Sequence, residues 1–254
     1  MSYPFIIWTV QRTGGTSLTE LLMALSEHRS TDHEPFNFGR DPRQFADVAR
    51  RFSETGDAAA LRQALARILA GRYLIKHCYE FHAGSLNREL LQASVATPYR
   101  HIHLLRRDEM SRLVSKFIAQ SNGTWFKDYA RTVFTEIRAG RRKLSPLPIE
   151  QVVEQYRQVR KLVDDMGQWL RAAGVPLLTI NYEDLFVGER DERLRQLAGL
   201  FRFLGLDATL LEQQRELIDE KIFGSGQDTA SIAEFVPNYR EVAAALAAAG
   251  CPGA

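Results

Sequence analysis

The sequence predicts an α/β protein whose mostly parallel sheet is flanked by helices on both faces. Four short apolar runs have the length and residue types of buried strands, and each is followed by apolar residues at helical spacing. The stretches between these runs are long enough for the crossover connections that parallel strands require. Hydrophobic residues make up 45% of the 254 residues and charged residues 25%, as in ordinary globular proteins. We therefore interpret residues 1–254 as a single globular domain.

Two of the predicted strands lie in the first third of the chain. Residues 4–10 form an apolar run that ends at a glycine-containing loop, residues 11–17, after which leucines recur at helical spacing. Residues 42–70 have the spacing and composition of helices, with a break near Gly56. The second buried strand is expected at residues 72–78.

The third and fourth predicted strands are separated by helical sequence. Residues 99–105 form the third strand, which passes directly into a helix with apolar residues along one face. A long helix is expected at residues 149–173, where Gly174 ends it, and the fourth strand follows at residues 175–180. Further helices are expected up to an alanine-rich helix at residues 241–249.

Composition and targeting signals argue against several classes of protein. The two cysteines, Cys78 and Cys251, show neither a CxxC pair nor a Cys/His ligand spacing, which argues against structural zinc and fits a reducing compartment. The N-terminal segment has no basic region before its short apolar run, and no stretch reaches about 18 apolar residues. A net charge of +2 does not by itself indicate nucleic-acid binding. We expect a soluble cytoplasmic protein without a cleaved signal or a membrane anchor.

The loop between the first strand and the first helix is the first candidate site. Its backbone N–H groups and the positive end of the following helix can converge on an anion, and its glycines allow a close approach. It resembles a phosphate-binding loop, which makes the predicted fold P-loop-like, but it has no Walker A lysine and its cation comes early. The alternative is a tight turn with a helix cap. The loop consists of Gln11, Arg12, Thr13, Gly14, Gly15, Thr16 and Ser17.

A second candidate site lies where the third strand meets its helix. Arg106 and Arg107 end the strand, and Ser115 follows on the helix. Arginine binds phosphate through two parallel hydrogen bonds, and a serine farther along the helix can add a third. The alternative is a solvated, charged helix start.

Together these motifs resemble the sulfotransferase family, which uses 3′-phosphoadenosine 5′-phosphosulfate (PAPS) as sulfuryl donor, and the resemblance spans most of the chain. In that family the loop after the first strand holds the 5′-phosphosulfate, and an arginine followed by a serine eight or nine residues later holds the 3′-phosphate. Ser115 lies nine residues after Arg106 and eight after Arg107, so both assignments stay open. The residues of these motifs are most similar to those of bacterial carbohydrate sulfotransferases of the nodulation-factor type. Two departures are Gly15, where Thr or Ser is usual, and Asp108, where those proteins have Asn.

Three further segments support the resemblance. Residues 181–185 are similar to a YEDL segment of sulfotransferases, which implies that Tyr182 lies near the adenine. Glu34 lies 22 residues after Arg12, where several carbohydrate and tyrosyl-protein sulfotransferases place a glutamate as catalytic base. Residues 236–241 resemble an IxNYxEL signature of the bacterial group. Without the family spacing, Glu34 is better explained as a surface acid beside a proline.

Lys76 and His77 end the second predicted strand and offer an alternative base. Animal cytosolic sulfotransferases have a KxH segment in a comparable strand, and its histidine is the base. Here Lys and His are adjacent, so their side chains should point to opposite faces and at most one should reach the site. We keep His77 as the alternative base and Lys76 as a contact to sulfate or acceptor. His101 and His103 are expected to be structural.

The resemblance implies transfer of a sulfuryl group from PAPS to a hydroxyl, of a carbohydrate or a glycolipid. Glu34 would accept the hydroxyl proton, while Arg12 and the loop amides would stabilise charge on the departing nucleotide. The expected partners are the donor and the acceptor, without metal, nucleic acid or an integral membrane segment. The alternatives are a P-loop kinase-like phosphotransferase using MgATP, which would need the missing Walker lysine, and a non-catalytic nucleotide-binding protein.

Overall fold

The structure is a computed structural model. The residues that it describes are 2–30, 34–37, 44–82, 84–125, 127–224, 230–252 and 254. The predicted helical start at residues 42–43 lies outside this part of the chain.

A parallel sheet of four strands, in the order β2-β1-β3-β4, forms the centre of the described structure. The predicted strands are confirmed, with small shifts at their ends. β2 begins three residues later than expected because Arg72 still belongs to the turn that ends a helix. Its φ of 53° lies in the left-handed region, which a β-strand does not use, and its N–H donates to Leu69 O. The strands are β1 (Phe5–Thr9), β2 (Ile75–Cys78), β3 (Arg100–Leu105) and β4 (Leu177–Asn181).

Helices cover most of the remaining described chain. The long helix predicted at residues 149–173 is confirmed at Ile149–Ala172, and the break predicted near Gly56 separates two helices, the second capped by Asp57. The helices are α1 (Gly15–Leu25), α2 (Gln44–Thr55), α3 (Ala58–Ala70), α4 (Gly84–Val95), α5 (Glu109–Asn122), α6 (Lys127–Arg138), α7 (Ile149–Ala172), α8 (Tyr182–Phe186), α9 (Arg190–Leu204), α10 (Leu210–Gln213), α11 (Arg215–Ile218), α12 (Ala230–Ala233) and α13 (Tyr239–Ala248).

Hydrophobic packing covers both faces of the sheet, as the sequence predicts. Alternate residues of a strand point to opposite faces. Ile6 and Trp8 pack into a cluster with residues of α2, α3, α4 and α7. Phe5 and Ile7 pack into a second cluster with residues of α1 and α9.

A third hydrophobic cluster contains no strand residue. Its buried residues come from α5, α6, α7, α12, α13 and the chain around them. α7 contributes Val152 and Tyr156 to this cluster, while Val159 and Met166 belong to the cluster on the sheet. One helix therefore joins two cores.

The strand order reverses beside β1, because β2 lies on one side of it and β3 on the other. In open parallel sheets, ligands bind outside the carboxyl ends of the strands at such a reversal. The loop after β1 and the arginines after β3 both follow strands that meet there. The topology thus brings the two candidate sites to one place.

Two histidines of β3 are buried in the core, as predicted. His101 Nδ1 accepts a hydrogen bond from Trp8 Nε1 at 3.0 Å, and His103 Nε2 lies 3.3 Å from the hydroxyl of Tyr79. Burial lowers the pKa of each ring to about 4, with Arg171 adding to the effect at His103. Both rings are therefore neutral at neutral pH.

Among the described residues, no helix combines the length and the apolar character needed to cross a membrane. No group of three or more His, Cys, Asp or Glu side chains in the same part of the chain is arranged to hold a metal ion.

Candidate functional site

The loop between β1 and α1 presents the start of a helix to the carboxyl edge of the sheet. Arg12 and Gly14 have φ 67° and 78°, both in the left-handed region, and α1 begins directly after Gly14. Within the described chain, Gly14 provides no side-chain cap and the first turn of α1 has no acidic residue. The positive end of the helix is therefore not offset by a carboxylate of its own first turn.

Two threonines and a phenylalanine hold this loop in place. The Thr13 hydroxyl donates to Val10 O at 2.9 Å, and its oxygen lies 2.5 Å from that of Thr9. On the other side, a Cβ at Gly14 would lie 2.6 Å from Cε2 of Phe186. Only glycine fits here, both for space and for its left-handed φ.

Arg12, Arg106 and Ser115 come together beside the loop. Arg12 Nε donates to Ser115 Oγ at 2.8 Å, and Arg106 Nη1 donates to Arg12 O at 3.1 Å. The Arg106 guanidinium lies 4.4 Å from the centre of the Tyr182 ring, which stacks on Phe186. Burial and the charge of Arg106 lower the pKa of Arg12 to about 10, so the Arg12 guanidinium is still charged at neutral pH. The arrangement concentrates positive charge where an anion can bind.

Arg107 lies apart from this group. Its Nη2 donates to Asp184 Oδ1 at 2.6 Å, and its backbone N–H donates to Glu183 at 3.1 Å. Its side chain is 58% exposed. Of the two arginines that the sequence left open, the structure brings Arg106 to the loop and pairs Arg107 with the acids of α8.

Glu34 and Lys76 meet on the other side of the loop. Lys76 Nζ lies 3.2 Å from Glu34 Oε1 and 3.1 Å from the hydroxyl oxygen of Thr16, to which it donates. The Cys78 thiol donates to the same Glu34 oxygen at 3.3 Å, and Asn37 Nδ2 donates to the other oxygen at 2.9 Å. The Lys76 and Glu34 side chains are 3% and 10% exposed, so this pair is largely withdrawn from water.

His77 points to the opposite face of β2, as adjacent strand residues must. Its Nε2 lies 2.6 Å from Asn87 Oδ1, and its ring packs edge-on against Trp8 and Phe36. Burial, and then the charge of the neighbouring His82, lowers its pKa to about 3. Of the adjacent pair, Lys76 reaches the loop and His77 lies in the core.

Buried ion pairs beneath the loop were missed by the sequence analysis. Glu80 accepts the Gln11 N–H at 2.5 Å and the Lys116 ammonium at 2.7 Å, and the side chains of Glu80 and Lys116 are 4% and 6% exposed. Arg112 has no exposed side-chain surface, and its Nη2 lies 2.8 Å from Glu109 Oε2. The available signal was the helical spacing of Glu109, Arg112 and Lys116 along α5.

Replacing Arg112 with methionine is expected to lower the free energy of unfolding by about 3–5 kcal/mol, because it leaves the Glu109 carboxylate buried without its cation. Urea denaturation measures the loss. Arg160→Met, which removes an exposed pair with Asp164, is the control and should cost at most about 1 kcal/mol. Adding Glu109→Leu to Arg112→Met should recover much of the lost stability. A double variant whose loss equals the sum of the losses of the two single variants would show that the two side chains are not coupled.

Comparison of the chain with protein-family models, with curated proteins and with solved structures finds no significant match in any of the three.

Proposed function

We propose that the protein is a PAPS-dependent sulfotransferase that transfers the sulfuryl group to a hydroxyl of a carbohydrate or a glycolipid. The observation that carries the proposal is the arrangement around the loop. Arg12, Arg106 and Ser115 lie together on one side, and Lys76 and Glu34 lie on the other. This arrangement offers cations for a doubly phosphorylated nucleotide and a carboxylate for the acceptor.

In the proposed reaction the acceptor oxygen attacks the donor sulfur. A new S–O bond forms, the bond between sulfur and the bridging oxygen breaks, and its electron pair stays on the departing adenosine 3′,5′-bisphosphate. Glu34 takes the hydroxyl proton. Arg12 and the amides of the P-loop-like turn stabilise the charge that develops on the leaving group.

The nucleotide contacts in this proposal follow from the same geometry. Arg106 and Ser115 would hold the 3′-phosphate, and Tyr182 would lie near the adenine. The pairing of Arg107 with Asp184 supports Arg106 in this role. The burial of His77 among aromatic rings supports Glu34 as the base.

The runner-up, an MgATP phosphotransferase, has less support. The position of the Walker lysine is taken by Gly15, and β3 runs into Arg106 rather than an acidic residue. Both cysteines are free thiols, which suits the cytoplasmic location that we propose for the reaction.

Adenosine 3′,5′-bisphosphate is expected to raise the melting temperature more than MgATP at equal concentration. A ligand at a hundredfold excess over its Kd adds about 2.7 kcal/mol, which is roughly 5–10 °C for a chain of this size. Differential scanning fluorimetry measures both shifts. Equal shifts, or a larger one with MgATP, would contradict the proposal.

Neighbouring arginines provide a matched control for this test. Arg106→Ala should reduce the preference for the 3′,5′-bisphosphate over adenosine 5′-monophosphate, because it removes the proposed contact to the 3′-phosphate. Arg107→Ala should leave that preference in place. The reverse result would move the 3′-phosphate contact to Arg107.

A further inference from the structure

Among the contacts described above, those of Lys76 link the proposed base, Glu34, to the loop that is proposed to hold the donor. Its ammonium lies 3.2 Å from Glu34 Oε1 and 3.1 Å from the Thr16 hydroxyl in the first turn of α1. The lysine chain also fills the space beside Gly15, since a Cβ there would lie 3.2 Å from Lys76 Cδ. A cation from β2 therefore stands next to the start of α1.

An anion bound at the start of α1 would share this ammonium with Glu34. Such an anion accepts hydrogen bonds from the first amides of the helix and lies beside Thr16. Lys76 is only 3% exposed, and charges interact more strongly where water is excluded. Glu34 and the anion therefore compete for the same cation.

The contacts of Glu34 oppose its use as a base while this cation stays in place. Oε1 faces the Lys76 ammonium and the Cys78 thiol, and Oε2 accepts from Asn37. An ammonium on a carboxylate favours its charged form and so opposes protonation. Removing the ammonium makes the carboxylate a better proton acceptor.

We propose that Lys76 is a catalytic cation that passes from Glu34 to the donor when the donor binds, so that Glu34 can accept a proton only after the donor is in place. The exchange breaks one ionic contact and forms another, with no covalent change. The subsequent transfer moves the acceptor proton to Glu34 and the sulfuryl group to the acceptor oxygen. This inference rests on the proposed function for the identity of the donor.

Competition for one cation gives a test that needs no acceptor. Glu34→Gln should tighten the binding of adenosine 3′,5′-bisphosphate by at least about fivefold, because Lys76 no longer has to leave a carboxylate. In the Glu34→Gln background, Lys76→Met should remove this gain. Isothermal titration calorimetry on both variants and the wild type measures the affinities.

The control for a general charge effect is Glu89→Gln, which removes a carboxylate that is paired with Arg62. It should leave the affinity within about twofold, as expected for a distant, independent site. Unchanged or weaker binding in Glu34→Gln would overturn the proposal. So would an equal gain in Glu89→Gln, or a gain that persists after Lys76→Met. The Lys76→Met/Glu34→Gln double variant removes both charges of the pair. Its affinity can therefore be compared with that of Glu34→Gln without the effect of a buried carboxylate that has lost its cation.

Inorganic pyrophosphate as a second probe separates this inference from the proposed function. If pyrophosphate binds more tightly to Glu34→Gln, loses this gain with Lys76→Met, and the nucleotide does not bind, the sulfotransferase proposal fails. The inference that Lys76 is shared between Glu34 and a bound anion is then supported. If the nucleotide binds without coupling, the shared cation fails and the donor assignment stands. If neither probe binds, both are overturned.

Discussion

Replacing Glu34 with glutamine is expected to slow sulfuryl transfer by about 10²–10⁴-fold, the range that a positioned general base contributes. Glutamine keeps the shape of the side chain and an oxygen for Cys78, but it cannot take the acceptor proton. Donor binding should be strengthened, as expected when Lys76 no longer has to leave a carboxylate. Transfer of label from radioactive PAPS into carbohydrate and glycolipid fractions of a cell extract measures the rate.

His77→Gln is the matched control for this variant. A glutamine there can still donate to Asn87, and the side chain stays on the face of β2 away from Lys76. Transfer should persist. Loss of transfer in His77→Gln with full transfer in Glu34→Gln would make His77 the base. A wild type that transfers nothing, yet binds the nucleotide, would favour the non-catalytic nucleotide-binding alternative.

Acidification from pH 7 to pH 5 is expected to destabilise the protein by about 2 kcal/mol for each of His77, His101 and His103. Burial lowers the pKa of His101 and His103 from 6.5 to about 4 and that of His77 to about 3. The unfolded chain binds protons below about pH 6.5, and the native rings do not. Their stabilising effect is therefore complete above that pH and is lost as the pH falls towards 4. Urea denaturation at several pH values measures the slope.

His101→Asn tests one ring at a time. Asparagine offers an oxygen that can accept from Trp8 Nε1, but it does not titrate. Between pH 6 and pH 4.5 the free energy of unfolding should fall less steeply with pH in this variant than in the wild type. The expected difference between the two slopes is about 1.4 kcal/mol per pH unit. Identical slopes would show that His101 does not contribute.

The sequence alone predicts the main strands and helices, and it locates the loop that forms one side of the candidate site. The four strands, and helices on both sheet faces, follow from apolar runs and helical spacing, and the structure confirms them. The loop of residues 11–17 could be located because glycines and hydroxyl residues stand between a buried strand and an apolar helix. These signals are local, so a single sequence carries them.

Contacts between distant segments could not be predicted in the same way. The period of a strand places Lys76 and His77 on opposite faces, but only the packing of α1 and of the core decides which face each one meets. The choice between Arg106 and Arg107 depends on the acids of α8, which are far away in the chain. The Glu80–Lys116 pair escaped notice because charged residues on a helix are usually solvated.

The hydrophobic cluster that contains no strand residue affects how firmly one side of the candidate site is held. Met110, Leu113 and Val114 anchor α5 in the cluster that lacks strand residues, while the same helix carries Ser115 to the loop after β1. Loosening of that cluster would shift Ser115, and with it one side of the candidate site, even if the sheet stayed intact. Substitutions in that cluster, remote from the loop after β1, would therefore change how long an anion stays bound at the candidate site.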